Sequence, residues 1–256
     1  MGHNYLGDLP RTYRWKEVIR LISGDGPIDK IADASLAAVQ TGLQRIPSDE
    51  GFTRTLTVIF KFLESARSTD IESALAQNGF PPLKDFTVFD LSSCLKEKID
   101  FELSARKIKS DVSEIAQNSF TETLFKYLSA ESKSLFDTSS NVIRKTIRNL
   151  SSGRQFRSLM HEFYSTFTRR YLTFYLSREL SGHVGPGLRF RNIDEHIEFN
   201  KALNQYINQA IRIADDFTPG WFGKAQYEKE LTHDSISRYA HVAFKKILKE
   251  FSRGES

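Results

Sequence analysis

The sequence contains a single cysteine, Cys94, among its 256 residues. One cysteine cannot form a disulfide within the chain, and it excludes zinc sites that are built from several thiolates. Because Cys94 falls in a helical apolar pattern, we expect it to be a small buried hydrophobic residue.

Long apolar runs are missing as well, although hydrophobic residues make up 39% of the chain. No stretch approaches the ~20 apolar residues that a membrane-spanning helix needs. The first residues, MGHNYLGDLPRTYRW, contain no apolar segment of the kind found in secretory signals. Leu6 stands where an N-myristoylation motif has serine or threonine. The sequence therefore predicts a cytoplasmic protein that has no membrane partner.

Motifs for nucleotide binding and acyl transfer are also absent. Gly182, Gly185 and Gly187 lie around Pro186, but no lysine follows them in the order that a phosphate-binding P-loop requires. The sequence has no G-x-S-x-G segment, which forms the nucleophile elbow of many hydrolases. These two large enzyme classes are therefore left without a motif.

The histidines do not show metal-binding spacing. His196 and Glu198 are two residues apart and face different sides of a helix, unlike the two histidines of an H-E-x-x-H motif. The pair His233-Asp234 would suit a metal-dependent phosphohydrolase only if an aspartate followed it, and none does. We therefore expect no metal site, no cofactor and no catalytic residue of these types.

Helical periodicity dominates what is present. Few segments alternate with period two and no repeat is evident, so the sequence predicts an all-α, multi-helix globular bundle. Its centre is a long helix at about 153–181, and one stripe of that helix is strongly aromatic: Phe156, Met160, Phe163, Phe167, Tyr171 and Phe174. Leu172 and Leu176 lie on the opposite side, so we expect the helix to be buried on both sides.

A change in charge suggests a subdivision. Residues 1–137 are slightly acidic and predict an N-terminal helical subdomain, whereas residues 138–256 are basic and contain the central helix. The serine-rich segment 129–141 is the predicted boundary, although a single continuous domain is also possible. We further expect an irregular arm at 1–10, a cap at Ser48 or Asp49, another at Asp194, and a turn at 218–223.

Two groups of basic residues are candidates for binding nucleic acid or another anion. The first lies on one face of a predicted short helix: Arg144, Lys145 and Arg148. The second lies near the end of the central helix: Arg169, Arg170, Arg178 and His183. The aromatic stripe predicts burial of Arg170 and Arg178, so a structural ion pair is the alternative, because an unpaired buried charge costs several kcal/mol.

Two aromatic residues, Trp221 and Phe222, are candidates for binding a protein partner. They fall in the predicted turn TPGWFG, where exposed rings would suit interface anchors. The absence of catalytic motifs favours an accessory or adaptor subunit of a larger cytoplasmic assembly. A nucleic-acid-binding protein that uses the basic C-terminal half is the alternative, and an enzyme of an unrecognised class is the third hypothesis.

Overall fold

The computed structural model describes residues 13–24, 26–81, 86–130, 139–212, 218–228 and 230–253, without the side chains of residues 28, 178–181, 210, 218–219 and 252–253. Within these ranges the regular elements are helices, and the β-type pairing is one isolated bridge between Val184 and Phe190. The prediction of an all-α bundle is confirmed. The predicted arm at 1–10 lies outside the described residues.

Eleven α-helices occur in the described ranges: α1 (Tyr13–Ser23), α2 (Ile28–Arg45), α3 (Glu50–Ser65), α4 (Ile71–Gln77), α5 (Val88–Ala105), α6 (Asp111–Ala130), α7 (Ser140–Leu150), α8 (Gly153–Leu180), α9 (Ile193–Ile211), α10 (Thr218–Tyr227) and α11 (His233–Arg253). Short 3₁₀ turns at Ile46–Ser48 and Ser181–His183 follow α2 and α8. Among these helices, none combines the length and the apolar character that crossing a bilayer requires.

Side-chain caps begin several of the helices where the sequence expects them. Asp49 accepts a hydrogen bond from the Phe52 backbone N–H at 2.7 Å and so begins α3, which confirms one of the two expected caps. Helix α9 begins differently, because Asn192 and not Asp194 accepts the bond from the Glu195 N–H at 3.0 Å. Asp194 instead lies in the first helical turn, where the helix dipole favours a carboxylate.

Helix α8 lies in the middle of the bundle, as the aromatic stripe predicts. It packs most extensively against α6 and α9, and it also contacts α2, α7 and α10. The Phe167 ring is fully buried and lies 5.2 Å from the Phe52 ring and 6.0 Å from the Phe244 ring, measured between centroids. Leu172 and Leu176 are buried on the other side. The expected burial on both sides is therefore confirmed.

Two expectations about local structure are wrong. Residues 218–223 do not form a turn but begin α10, because proline at the second helical position needs no N–H donor there. Arg170 is not buried, since its side chain is 42% exposed at the margin of the stripe.

One hydrophobic core contains residues from both sides of position 137. Helix α6 packs on α8, α3 packs on α11, and α2 packs on α9, so the two halves share apolar contacts. Most of the predicted boundary, residues 131–138, lies outside the described residues. Whether the halves fold separately stays a prediction. Cys94 is buried as expected, and burial raises the pKa of its thiol to about 11.

Candidate anion-binding site

The predicted basic face of α7 is largely bonded to its own fold. Arg144 forms an ion pair with Glu72, and its guanidinium carbon lies 5.1 Å from the centroid of the Phe86 ring. Arg148 donates a hydrogen bond to the Ser68 carbonyl at 2.8 Å. Lys145 is exposed. Two of these three cations therefore stabilise the junction between α7 and the α3–α4 region.

The predicted group on α8 is paired in a similar way. Arg169 and Arg170 donate to the two oxygens of Glu122 at 2.7 and 2.5 Å. Partial burial alone would raise the pKa of Glu122, but the bonds from Arg170 and Arg169 outweigh it and hold that pKa below its ordinary value. His183 ends the 3₁₀ turn after α8, and its carbonyl accepts a bond from the Phe190 N–H at 2.9 Å. The Arg178 side chain lies outside the described residues, so its pairing stays a prediction.

The two candidate partner-binding aromatics point into the core. Phe222 is 2% exposed and stacks on Phe156 with the ring centroids 4.2 Å apart. Trp221 is partly buried and stacks on Tyr239 at 4.2 Å. The expected exposure is wrong for Phe222, because the helical geometry of α10 turns this ring inward. A role of Trp221 and Phe222 in partner binding stays a prediction.

A different cluster of basic side chains lines a cavity of about 310 Å³ between α3, α5 and the start of α11. We call this cavity the basic pocket. Its lining residues come from four separate parts of the chain: Arg54, Thr57, Val58, Lys61, Asn78, Phe80, Lys98, Glu102, Arg106, Leu231, Thr232 and His233.

Helical spacing explains how these residues come together. Arg54 and Lys61 are seven residues apart on α3, which places them on one face, two turns from each other. Lys98, Glu102 and Arg106 follow one another at four-residue spacing along α5 and its C-terminal end. Helix α3 packs against both α5 and α11, so the two stripes face a shared space that the start of α11 closes.

The charge balance of the lining is strongly positive. Of the lining side chains in the described part, four are permanently cationic and Glu102 is the carboxylate that faces them. Glu102 accepts bonds from Lys98 Nζ at 2.9 Å and from Arg106 at 2.6 Å. Burial would raise the pKa of Glu102, yet Lys98 and Arg106 hold it below its ordinary value. One carboxylate is therefore shared between two cations.

Arg54 is less well satisfied than the α5 cations. The Nε atom of Arg54 is buried and has no hydrogen-bond partner among the described residues, and the Arg54 side chain is only 25% exposed. Its ion pair with Glu50, which lies outside the lining, has a long separation of 3.4 Å. A buried donor without a partner costs free energy.

The pKa of His233 is lowered by burial and by the same cations. Burial lowers the pKa of its imidazole, and the nearby Arg54 and Arg106 lower it further, against the opposing effect of Asp234 and Glu50. A positive charge on the imidazole is thus disfavoured while the pocket holds no anion.

Thr57 and His233 are in contact across the basic pocket lining. Thr57 donates its hydroxyl proton to the Thr53 carbonyl at 2.8 Å, and its oxygen lies 3.4 Å from His233 Nδ1. A hydroxyl has one proton, so this network assigns the second bond to a donating Nδ1–H. The imidazole therefore does not accept the Thr57 proton, as it would in an activated nucleophile pair.

Three residues of the lining are apolar, and Gly79, outside the lining, lies close to Lys98. Val58, Phe80 and Leu231 form the apolar wall. Gly79 follows α4 with a φ of 72°, which favours glycine. A Cβ atom at this position would lie 2.9 Å from Lys98 Nζ, so the glycine leaves room for the ammonium group.

Sequence reasoning missed this site because it searched for local density of basic residues. Lys98 and Arg106 lie in the slightly acidic half of the chain and are separated by Glu102. A signal was present in their helical spacing, but only the packing of α3 on α5 shows that the two stripes face each other. The described residues include no group of three or more His, Cys, Asp or Glu side chains that could hold a metal ion.

Comparison of this chain with protein-family models, with curated proteins and with solved structures finds no match. The function is therefore inferred from the basic pocket itself.

Proposed function

We propose that this protein binds a small anionic ligand in the basic pocket and that it works by binding. The observation that carries the proposal is that four cationic side chains, Arg54, Lys61, Lys98 and Arg106, line one cavity whose described lining holds a single carboxylate, Glu102. A bound anion would accept hydrogen bonds from these side chains and would offset the repulsion among them.

The chemistry of the lining supports binding over catalysis. Catalysis of acyl or phosphoryl transfer needs an activated nucleophile or a base aimed at one. Thr57 directs its proton to the Thr53 carbonyl, and Glu102 is engaged by Lys98 and Arg106. The cationic side chains of the lining are the donors that can hold a negative charge.

An accessory or adaptor role in a cytoplasmic assembly is our second candidate. It is favoured by Ile193 and Ile197, which lie one turn apart on α9 and are 68% and 43% exposed. Neighbouring exposed apolar side chains suit contact with a protein partner. Purification from native extract should retain a partner that the change of both residues to Ser releases, and retention of the partner by this variant would contradict the assignment of the surface.

Nucleic-acid binding is less well supported. That hypothesis relied on Arg144, Lys145 and Arg148, and the structure engages Arg144 and Arg148 within the fold. It stays a prediction that a titration with single- and double-stranded DNA and RNA at two salt concentrations can test.

The anion-binding proposal can be tested by calorimetric titration with inorganic phosphate. We expect Arg54→Met to weaken phosphate binding by about tenfold or more, because a hydrogen bond to a charged group is worth roughly 1.5–3 kcal/mol. Arg169→Met is the matched control, since it also removes an arginine that pairs with a glutamate but lies outside the basic pocket. Equal affinity of the wild type and Arg54→Met, or equal losses in both variants, would overturn the proposal.

A further inference from the structure

We propose that the ligand of the basic pocket is a small organic phosphate monoester. Its phosphate group lies among Arg54, Lys98 and Arg106, and its organic part lies against Val58, Phe80 and Leu231. This inference rests on the proposed anion-binding function and specifies the class of ligand.

The directions of the donors favour phosphate over carboxylate. Arg54 and Lys61 approach from α3, and Lys98 and Arg106 approach from α5 and its C-terminal end. A carboxylate offers two oxygens in one plane, whereas a phosphate monoester offers three terminal oxygens in a tetrahedral arrangement. Four cationic donors that converge from two helices therefore match three oxygens better than two.

The charge of the lining also favours a dianion. Glu102 already supplies one negative charge to Lys98 and Arg106. A ligand with a single negative charge would therefore add no more charge than Glu102 does. A phosphate monoester carries a charge of about −1.5 to −2 at pH 7 and can engage Arg54 and Lys61 as well. Glu50, Glu64 and Asp234 lie next to the cationic lining and reduce its field, but they do not line the cavity.

The size and the wall of the cavity indicate that the phosphate is attached to an organic group. The volume of about 310 Å³ lies at the small end of ligand pockets, which span roughly 300–1,000 Å³. A phosphate ion alone would fill only part of this space. Val58, Phe80 and Leu231 offer apolar surface beside the cations, and burial of an apolar group against such surface is favourable.

Three small anions separate this inference from the proposed function. Phenyl phosphate combines a phosphate with an apolar ring, phthalate has a similar size and charge but planar carboxylates, and inorganic phosphate lacks the ring. In calorimetric titrations of the full chain at pH 7.5, we expect phenyl phosphate to bind at least about tenfold more tightly than either of the others.

Each of the other possible outcomes contradicts one part of this inference or the proposed function. If phthalate binds as tightly as phenyl phosphate, charge alone governs the pocket, and the phosphate assignment is wrong while anion binding stands. If inorganic phosphate binds as tightly, the organic part contributes nothing and the monoester assignment is wrong. If none of the three binds, the proposed function fails together with this inference.

A variant of the apolar wall gives a second, independent measurement. Val58→Thr replaces a methyl group by a hydroxyl at nearly constant volume, so we expect it to weaken phenyl phosphate several-fold and to leave inorganic phosphate within about twofold. Val242→Thr makes the same change at a position that is 45% exposed on α11 and outside the basic pocket. Thermal unfolding of both variants identifies any loss of folded protein, and equal weakening of both ligands in folded Val58→Thr would contradict the assigned wall.

Discussion

Helix α8 and the basic pocket both carry several cationic side chains, but the two regions use them differently. On α8, Arg169 and Arg170 share the carboxylate of Glu122 and lie at the surface of the bundle. In the basic pocket, Glu102 is shared by Lys98 and Arg106, while Arg54 and Lys61 face the same space. On α8 one carboxylate serves two cations at the surface, whereas the lining of the basic pocket has one carboxylate for four cations.

The difference shows that a count of basic residues does not locate a binding site. A cation that the fold has already paired contributes to stability, and at an exposed position it contributes at most about 1 kcal/mol. A partly buried cation without a full set of acceptors costs free energy until a ligand arrives. The distinction depends on which carboxylates the packing places nearby.

The largest effect is expected on the α8 side of the comparison, where the buried residues are structural. Phe167→Ala should lower the free energy of unfolding by about 3–5 kcal/mol, because it opens a cavity in the centre of the core. Tyr227→Ala, at a position that is 91% exposed, is the control and should change stability by less than about 0.5 kcal/mol. Denaturant unfolding measures both. A loss below about 1 kcal/mol for Phe167→Ala would contradict the central role of α8.

Two glycine variants distinguish a loss of ligand affinity at the basic pocket from a loss of stability. Gly79→Ala and Gly153→Ala each place a side chain at positive φ, at 72° and 55°, so each should lose about 1 kcal/mol of stability. Only Gly79 has a pocket cation in reach of the added methyl group, Lys98 Nζ at 2.9 Å. We therefore expect Gly79→Ala alone to weaken phenyl phosphate several-fold by calorimetry. A similar loss of affinity in both variants would show that it follows from lower stability.

The two shared glutamates offer a direct test of which cations are available to a ligand. Glu102→Gln should strengthen phenyl phosphate binding by about three- to tenfold, because it frees Lys98 and Arg106 from a competing carboxylate. Glu122→Gln frees Arg169 and Arg170 outside the pocket and should leave the affinity unchanged. Weaker binding by Glu102→Gln would mean that Glu102 positions the cations and does not compete with the ligand.

The smallest expected effect concerns the protonation of His233. Its pKa in the free protein lies below the ordinary value of about 6.5, so the unfolded chain binds more protons between the two values. This imidazole therefore costs no stability above about pH 7.5, and stability is lost as the pH falls from about 6.5 to the folded pKa. NMR titration of the imidazole, assigned with His233→Gln, should show a pKa that rises when phenyl phosphate binds. A free-state pKa at or above 6.5 would contradict the positive field.

Much of the fold could be predicted from local patterns. The aromatic stripe of α8 fixes its buried face because side chains three and four residues apart share one side of a helix. The cap at Asp49 could be predicted for a similar reason, since its hydrogen bond closes within three residues. The prediction of a turn at 218–223 is wrong because proline and glycine are also compatible with a first helical turn. In α10 these residues form such a turn.

The sequence by itself determined the all-α class, the central position of α8 and the start of α3 at Asp49, since each depends on residues within a few turns of one another. Only the tertiary structure decided which charges are paired. Thr57 meets His233, and Arg144 meets Glu72, through contacts between distant segments of the chain. Electrostatic energy depends on distances in space, so the basic pocket exists only once α3, α5 and α11 have packed together.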